Sequence, residues 1–224
     1  MGPIDGVVFD LDGTLVANMA IHAEAFAIFA ERHGLSSLDQ AARARLDGKL
    51  NRDIFPVLFG RELPEVDLRA YAGEKEALYR ELSRGRLVPL GGLDRLLDVL
   101  EARSLPVAVA TSAPADNVRH TLEELGLGSR LRLIVRSDEV ARGKPHPDVF
   151  LAAARLLGRA PERCLAFEDA PAGIAAARAA GMTCVALSTS FPAEAFADHG
   201  ARPDYSVADF HEFLAGPGAW LVAT

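Results

Sequence analysis

The fold of this chain depends on one stretch near the start of the sequence, Val7-Val8-Phe9-Asp10-Leu11-Asp12-Gly13-Thr14-Leu15. Its first three residues form an apolar run, which predicts a buried strand of the parallel type. Because residues alternate sides along a strand, Asp10 and Asp12 point to the same side, with backbones roughly 6.5 Å apart. Two such carboxylates repel each other unless a cation or a proton compensates their charge. A strand that ends in a solvated acidic turn is the other interpretation, because Asp-Gly is a common turn signal.

The composition is typical of a soluble globular protein and limits the classes of function. Of the 224 residues, 50% are hydrophobic and 25% are charged, which suits one large domain or a domain with an insertion. The net charge of −7 argues against nucleic acid as a partner, because phosphate backbones are bound by basic surfaces. The sequence shows no signal peptide and no apolar stretch long enough to span a membrane. Cys164 and Cys184 lie in apolar, strand-like runs, where thiols act as small hydrophobic groups, so a reducing cytoplasm is expected. Together these features predict a cytoplasmic protein without nucleic-acid or membrane partners.

Hydrophobic periodicity divides the chain into a helical block and an alternating region. The block, residues 16–86, contains no convincing strand, and helices are predicted there at about 18–33, 38–46, 52–59 and 65–84. From residue 88 onward short apolar runs alternate with helices, which are predicted at about 93–102, 115–125, 147–157 and 171–180. The runs predict strands at 106–110, 131–135, 164–167, 183–187 and, at an edge, 205–207. This alternation indicates an α/β fold with a parallel sheet covered on both faces.

Four short stretches lie at or beyond the carboxyl ends of predicted strands, where ligands bind in parallel sheets. They are Asp10-Leu11-Asp12, Thr111-Ser112, Gly143-Lys144-Pro145-His146-Pro147 and Glu168-Asp169. Taken singly, they could be a helix cap, a solvated lysine or favourable charge at a helix N-terminus. The two prolines, however, restrain the backbone on both sides of the lysine. Together the four stretches predict one site that combines two acid pairs, a hydroxyl pair and a lysine.

These residue types favour the transfer of a phosphoryl group. Asp10 is the predicted nucleophile, which would form an aspartyl phosphate. Asp10 and Asp169 would hold a divalent cation, and hard oxygen ligands suit Mg²⁺. Lys144 would offset the remaining negative charge, and Thr111 with nearby backbone N–H groups would bind phosphate oxygens. Asp12 would protonate the leaving oxygen and then deprotonate the attacking water.

The motifs resemble those of the haloacid dehalogenase (HAD) superfamily, in the phosphatase branch that contains β-phosphoglucomutase. The resemblance rests on residues 9–15, 110–112, 143–148 and 166–174, which occur in the family's order. It implies a Rossmann-like three-layer core, residues 1–16 and 87–224, with an α-helical cap domain, residues 17–86, inserted into it. It also implies that Asp10, the backbone carbonyl of Asp12 and Asp169 hold Mg²⁺. Glu168 would lie at or next to the metal shell.

Substrate contacts are predicted on both sides of the site. Thr14, Ser112 and Ala113 would lie beside the phosphate, and the cap would contribute His22, Lys49 and Arg52. His22 matches the position of a cap histidine in β-phosphoglucomutase, although a surface histidine on an amphipathic helix is an equal alternative. Mutase-like caps carry Lys-Gly-x-x-Arg, whereas this chain reads Asp47-Gly48-Lys49-Leu50-Asn51-Arg52. The Pro114-Ala115 pair and Ala17 are further departures from the mutase pattern.

We therefore predict a cytoplasmic, Mg²⁺-dependent phosphatase that acts on a small phosphorylated metabolite such as a sugar phosphate. A phosphomutase of the β-phosphoglucomutase type is the first alternative, and a non-catalytic phosphate-binding module is the second. Asp12 argues against a dehalogenase, since dehalogenases lack this second aspartate. The sequence leaves the individual substrate and the oligomeric state open.

Overall fold

A six-stranded parallel sheet forms the centre of the fold. The computed structural model describes residues 3–36, 46, 49–198 and 202–223. The strands are β1 (Gly6–Phe9), β2 (Val107–Thr111), β3 (Ile134–Arg136), β4 (Cys164–Glu168), β5 (Thr183–Leu187) and β6 (Tyr205–Val207). Their order in the sheet is β3-β2-β1-β4-β5-β6, and all neighbours are parallel. The predicted α/β fold class with a parallel sheet is confirmed.

Helices connect and cover the strands. Three of them, α1 (Met19–Arg32), α2 (Asn51–Phe59) and α3 (Glu65–Ser83), belong to the helical block that follows β1. The others are α4 (Leu93–Ala102), α5 (Ala115–Glu124), α6 (Asp148–Leu157), α7 (Pro171–Ala179), α8 (Ala193–Asp198) and α9 (Phe210–Ala215). The predicted helix at 38–46 lies outside the described residues apart from Leu46. None of the helices described is long and apolar enough to cross a membrane.

The third strand begins later than predicted. The apolar run suggests a strand over 131–135, but β3 covers Ile134–Arg136. The backbone N–H of Leu131 donates to the carbonyl of Leu127 at 3.0 Å, so the chain is still turning there after α5. Pairing with the sheet starts at Leu133, whose carbonyl accepts from the N–H of Val109 at 2.8 Å.

Strand β1 is buried on both faces and lies in the middle of the sheet. Val7 and Phe9 enter one apolar cluster and Val8 enters the other, as the alternation of side chains along a strand requires. Phe9 stacks on Phe167 of β4 with ring centroids 5.1 Å apart, and it is paired with Val109 of β2 on the other side. The carboxyl ends of β1, β2 and β4 therefore lie next to one another.

The helical block has an apolar cluster of its own, which includes Phe29, Phe55 and Tyr79. This inserted block is the predicted cap, whereas its boundaries at 17 and 86 stay a prediction. Helix α3 of the cap meets α5 of the core through polar side chains, which we call the polar seam. In the described residues the seam has four pairs, Glu76–Asn117 at 2.5 Å, Tyr79–Thr121 at 3.4 Å, Arg80–Asn117 at 2.8 Å and Ser83–His120 at 2.8 Å.

Candidate active site

Four charged side chains meet at the carboxyl edge of the sheet. Asp10 follows β1, Glu168 ends β4 and Asp169 comes directly after it. Lys144 reaches the same place from the loop between β3 and α6. All four are buried, with exposed fractions of 6% for Asp10, 3% for Lys144, 1% for Glu168 and 2% for Asp169. The structure thus brings together the residues that the separate motifs predicted.

Lys144 is held between two carboxylates. Its Nζ donates hydrogen bonds to Oδ1 of Asp10 and to Oε1 of Glu168, the latter at 2.6 Å. The second oxygen of Glu168 accepts the backbone N–H groups of Asp169 and Ala170, both at 2.9 Å. Because Glu168 is fixed from both sides, it holds the ammonium group of Lys144 against Asp10.

The cluster carries more negative than positive charge. Burial, together with Glu168 and Asp12, raises the pKa of Asp10 to about 8, although Lys144 lowers it in part. Burial and the neighbouring Glu168 and Asp10 also raise the pKa of Asp169 well above its ordinary value. Burial alone would lower the pKa of Lys144, but Asp10 and Glu168 raise it, so the lysine stays charged. One lysine therefore does not compensate three buried carboxylates.

The three carboxylates are spaced for a metal ion. Asp10, Glu168 and Asp169 each offer an oxygen atom, and these atoms lie within 4.8 Å of one another. Hard oxygen donors and uncompensated negative charge fit a divalent cation. The carboxylate of Asp12 is not part of this group. The predicted ligand from Asp12 is its backbone carbonyl, and that contribution stays a prediction. The group can hold a metal, and its donors are of the predicted type.

Asp169 is fixed by two hydroxyl groups. Oγ1 of Thr14 donates to its Oδ1 at 3.3 Å, and Oγ of Ser190 donates to its Oδ2. A cleft between the acidic cluster and the cap is lined by residues that include Asp10, Asp12 and His22. Thr14, a predicted substrate contact, does not line this cleft and lies against Asp169 instead. Gly13, at φ +81°, leaves the space for this carboxylate, because a Cβ there would lie 2.0 Å from Oδ2.

Asp12 faces the cap. Nδ2 of Asn18 donates to its Oδ1 at 2.7 Å, and Nε2 of His22 lies 3.6 Å from its Oδ2. Lys75 donates to Nδ1 of His22 at 2.9 Å, so a neutral His22 carries its proton on Nε2, towards Asp12. Burial raises the pKa of Asp12, but His22 and Asn18 lower it by more, so the net shift is downward. Asp12 is therefore ionised while the site holds no substrate.

The loop after β2 forms another wall of the cleft. Thr111, Ser112 and Ala113 all line it. Oγ1 of Thr111 accepts the backbone N–H of Ala113 at 3.0 Å, and Oγ of Ser112 lies 3.3 Å from that of Ser137. No side chain caps α5, which begins after Pro114. The hydroxyls thus support the turn beside the acidic cluster and do not act as helix caps.

The predicted cap contacts separate into two groups. His22 and Lys49 line the cleft, together with Asp10 and Asp12. Arg52 is exposed and does not line it. Asp47 and Gly48 lie outside the described residues.

Three charged or polar residues of the cleft were not predicted from the sequence. Lys75 and Glu76 lie on α3 and form the side of the cleft that we call the cap wall, and Asn117 on α5 supports it. All three are buried and line the cleft. A helix rich in Glu and Lys is usually read as solvated, which hides Lys75 and Glu76. A signal is nevertheless present, because Lys75 lies four residues before Tyr79, on the buried face of α3.

Comparisons with known proteins agree with this architecture. A sequence model of the haloacid dehalogenase-like hydrolases matches residues 4–181. Validoxylamine A 7'-phosphate phosphatase of Streptomyces hygroscopicus subsp. limoneus is 34% identical over 196 residues, 85% of this chain and 89% of that protein. Hexitol phosphatase A of Escherichia coli (strain K12) is 34% identical over 192 residues, 84% of each chain.

Among solved structures, a family IA, variant 3 HAD hydrolase from Entamoeba histolytica has a TM-score of 0.85 and 26% identity. It covers 98% of this chain and 99% of its own. The chain belongs to the haloacid dehalogenase-like hydrolases, as its four motifs predict.

Proposed function

We propose that this hydrolase is a cytoplasmic, Mg²⁺-dependent phosphatase that hydrolyses a small phosphomonoester, such as a sugar phosphate, through an aspartyl phosphate. The observation that carries the proposal is the position of Lys144, which is held between Asp10 and Glu168 next to Asp169. This arrangement keeps a nucleophilic carboxylate buried and oriented, which phosphoryl transfer requires. Two buried free cysteines, Cys164 and Cys184, are consistent with a reducing compartment.

Asp10 is the nucleophile in this proposal. Lys144 occupies its Oδ1, which leaves Oδ2 to attack phosphorus. The new bond joins an Asp10 oxygen to phosphorus, and the bond from phosphorus to the ester oxygen breaks. Water then attacks phosphorus, releases phosphate and regenerates the carboxylate.

Asp12 moves the protons. The leaving alkoxide needs a proton, and the attacking water must lose one. The negative charge of the bound phosphate raises the pKa of the nearby Asp12, which lets this carboxyl carry a proton. Asp12 gives that proton to the leaving oxygen and takes one back from the water, with His22 and Asn18 fixing its orientation.

Asp10, Glu168 and Asp169 are the residues that would hold Mg²⁺, with the Asp12 backbone carbonyl as the further predicted ligand. When bound, the ion neutralises charge between the anionic carboxylate and the anionic phosphate. Lys144, which contacts Asp10 and Glu168, supplies part of the same neutralisation. Thr111, the last residue of β2, and Ser112 line the cleft and would contact the phosphate oxygens.

The relatives support a small hydroxyl-rich ester. The two described above are phosphatases, one named for validoxylamine A 7'-phosphate and one for hexitols. The cleft in this chain lies between the acidic cluster and the cap, which limits the size of the ester that it accepts.

The proposal is tested by phosphate release from a panel of sugar phosphates with added Mg²⁺. We expect release by the wild-type protein, loss of release in Asp10→Asn, and no change in the control Asp94→Asn, which alters an exposed residue of α4. Full activity of Asp10→Asn would exclude the mechanism. Incubation with glucose 1-phosphate and a trace of bisphosphate tests the phosphomutase alternative, which predicts an isomerised sugar phosphate without phosphate release.

A further inference from the structure

We propose that Glu76 determines substrate specificity, by forming a wall that accepts a hydroxyl of an uncharged leaving group and disfavours a second anionic group. The inference rests on the proposed phosphatase function and concerns the alcohol half of the ester. It starts from an unusual position, since Glu76 is a carboxylate of the cap that is only 6% exposed and yet lines the cleft with Asp10 and Asp12.

Glu76 is held by three donors. Its Oε1 accepts from Nδ2 of Asn51 at 2.7 Å and from Nζ of Lys75 at 3.0 Å. Its Oε2 accepts from Nδ2 of Asn117 at 2.5 Å. Burial raises the pKa of Glu76, but Lys75, His22 and Asn51 lower it more, so the group is charged. The carboxylate is thus fixed at the junction of α2, α3 and α5.

The carboxylate retains the capacity to bind a ligand. An ionised carboxylate accepts up to about four hydrogen bonds, and Glu76 uses three of them within the described residues. The remaining acceptor position suits a hydroxyl or another neutral donor. An anionic group has no donor to offer there.

Most of the neighbouring donors are already used. The ammonium group of Lys75 has three N–H bonds. Two of them go to Glu76 and to Nδ1 of His22, and Nζ lies 4.4 Å from the centre of the Phe26 ring. Asn117 gives one of its two amide N–H groups to Glu76, while its Oδ1 accepts from Arg80. Most of the donor capacity of these two side chains is thus used inside the protein, before a second phosphate could bind.

The rest of this wall is apolar. Met19, Phe26 and Ile54 line the same cleft and suit the C–H faces of a carbohydrate. Lys49 also lines it and is half-buried, and unlike Lys75 it is not paired with Glu76, so its charge would favour an anionic leaving group instead. Glu76 and Lys49 therefore predict opposite charge preferences for the leaving group, and an experiment can distinguish them.

The test uses two esters that differ in one charge, glucitol 6-phosphate and gluconate 6-phosphate. The second carries a carboxylate where the first has a terminal CH₂OH group. We expect wild-type kcat/KM to favour glucitol 6-phosphate by about tenfold or more, because juxtaposed like charges are strongly disfavoured in a buried site. Glu76→Gln should reduce this preference by about tenfold. Glu81→Gln, an exposed residue of the same helix, is the matched control and should keep the wild-type preference.

Each outcome decides the inference. An unchanged preference in folded Glu76→Gln would assign the selection elsewhere, to Lys49 for example, and overturn it. If Glu76→Gln does not fold by circular dichroism, the wild-type protein decides alone, since equal kcat/KM values for the two esters contradict the inference. If the protein hydrolyses p-nitrophenyl phosphate but neither hexose derivative, the inference about Glu76 is wrong and the proposed function still holds. If the protein hydrolyses no phosphomonoester at all, the proposed function itself is wrong.

Discussion

A Cβ atom on Gly173 would lie 1.6 Å from Oε1 of Glu168. Gly173 belongs to α7, which packs against the end of β4, so the carboxylate occupies space that no other residue would leave. We expect Gly173→Ala to push Glu168 away and to release Lys144 from Asp10. Misplacing a catalytic group by about 1 Å can cost about 100-fold in rate. Phosphate-release kinetics with Mg²⁺ should show a loss of at least this size.

The control for this prediction is Gly73→Ala, in the middle of α3. A Cβ at Gly73 meets no atom within 4 Å. This change should preserve activity and raise the free energy of unfolding by about 0.5–1 kcal/mol, since glycine is unfavourable inside a helix. Urea unfolding measures the second effect. Normal activity in Gly173→Ala would show that Glu168 does not position Lys144.

The charge of Lys144 should set the pH at which Asp10 ionises. Lys144→Met removes a buried positive charge, so we expect the pKa of Asp10 to rise above its value of about 8. The rate should fall by about 100-fold or more, because the charge also stabilises the transferring phosphoryl group. A pH–rate profile should show the acidic limb at higher pH than in the wild type. An acidic limb that does not move would contradict this role.

Ser190 should determine how tightly the acidic cluster holds a metal ion. Its hydroxyl donates to Oδ2 of Asp169, and residues that orient metal ligands typically contribute about 10- to 100-fold in affinity. Ser190→Ala is therefore expected to weaken Mn²⁺ binding within this range, as measured by electron paramagnetic resonance. Ser188→Ala, on the same loop but outside the cluster, is the control. Equal affinity in the two variants would argue against a positioning role.

The stability of the metal-free protein should fall as pH rises. Asp10 has a pKa of about 8 in the folded state, against about 3.9 in an unfolded chain. Between these values the folded state binds more protons, so the free energy of unfolding decreases with pH. We expect a lower Tm at pH 8 than at pH 6 in chelator, and a smaller difference with Mg²⁺. Asp10→Asn removes this titrating group and should flatten the slope, whereas an unchanged slope would assign it to other groups such as Asp169.

The motifs at strand ends allow much of the site to be predicted. Parallel strands present their carboxyl ends at one edge, which is why Asp10, Thr111 and Glu168 meet although they are far apart in sequence. Lys144 joins them because its loop leaves the same edge. The prediction works because each of these residues follows from local patterning plus one rule of sheet geometry.

The cap wall and the loop after β5 could not be predicted in the same way. Ser190 reaches Asp169 only because β5 lies beside β4, and strand order is not encoded in local periodicity. Glu76 meets Asn117 through the docking of α3 on α5. Both contacts depend on how whole elements pack, so the side chains alone look like ordinary surface polar groups.

The central position of β1 has a consequence for engineering. Its amides are paired with β2 and β4 on both sides, so in hydrogen-exchange experiments they should open only when the whole core unfolds. The cap wall stands on helices with a separate apolar cluster. Its side chains can therefore be redesigned for a new alcohol while the reacting carboxylate keeps its scaffold.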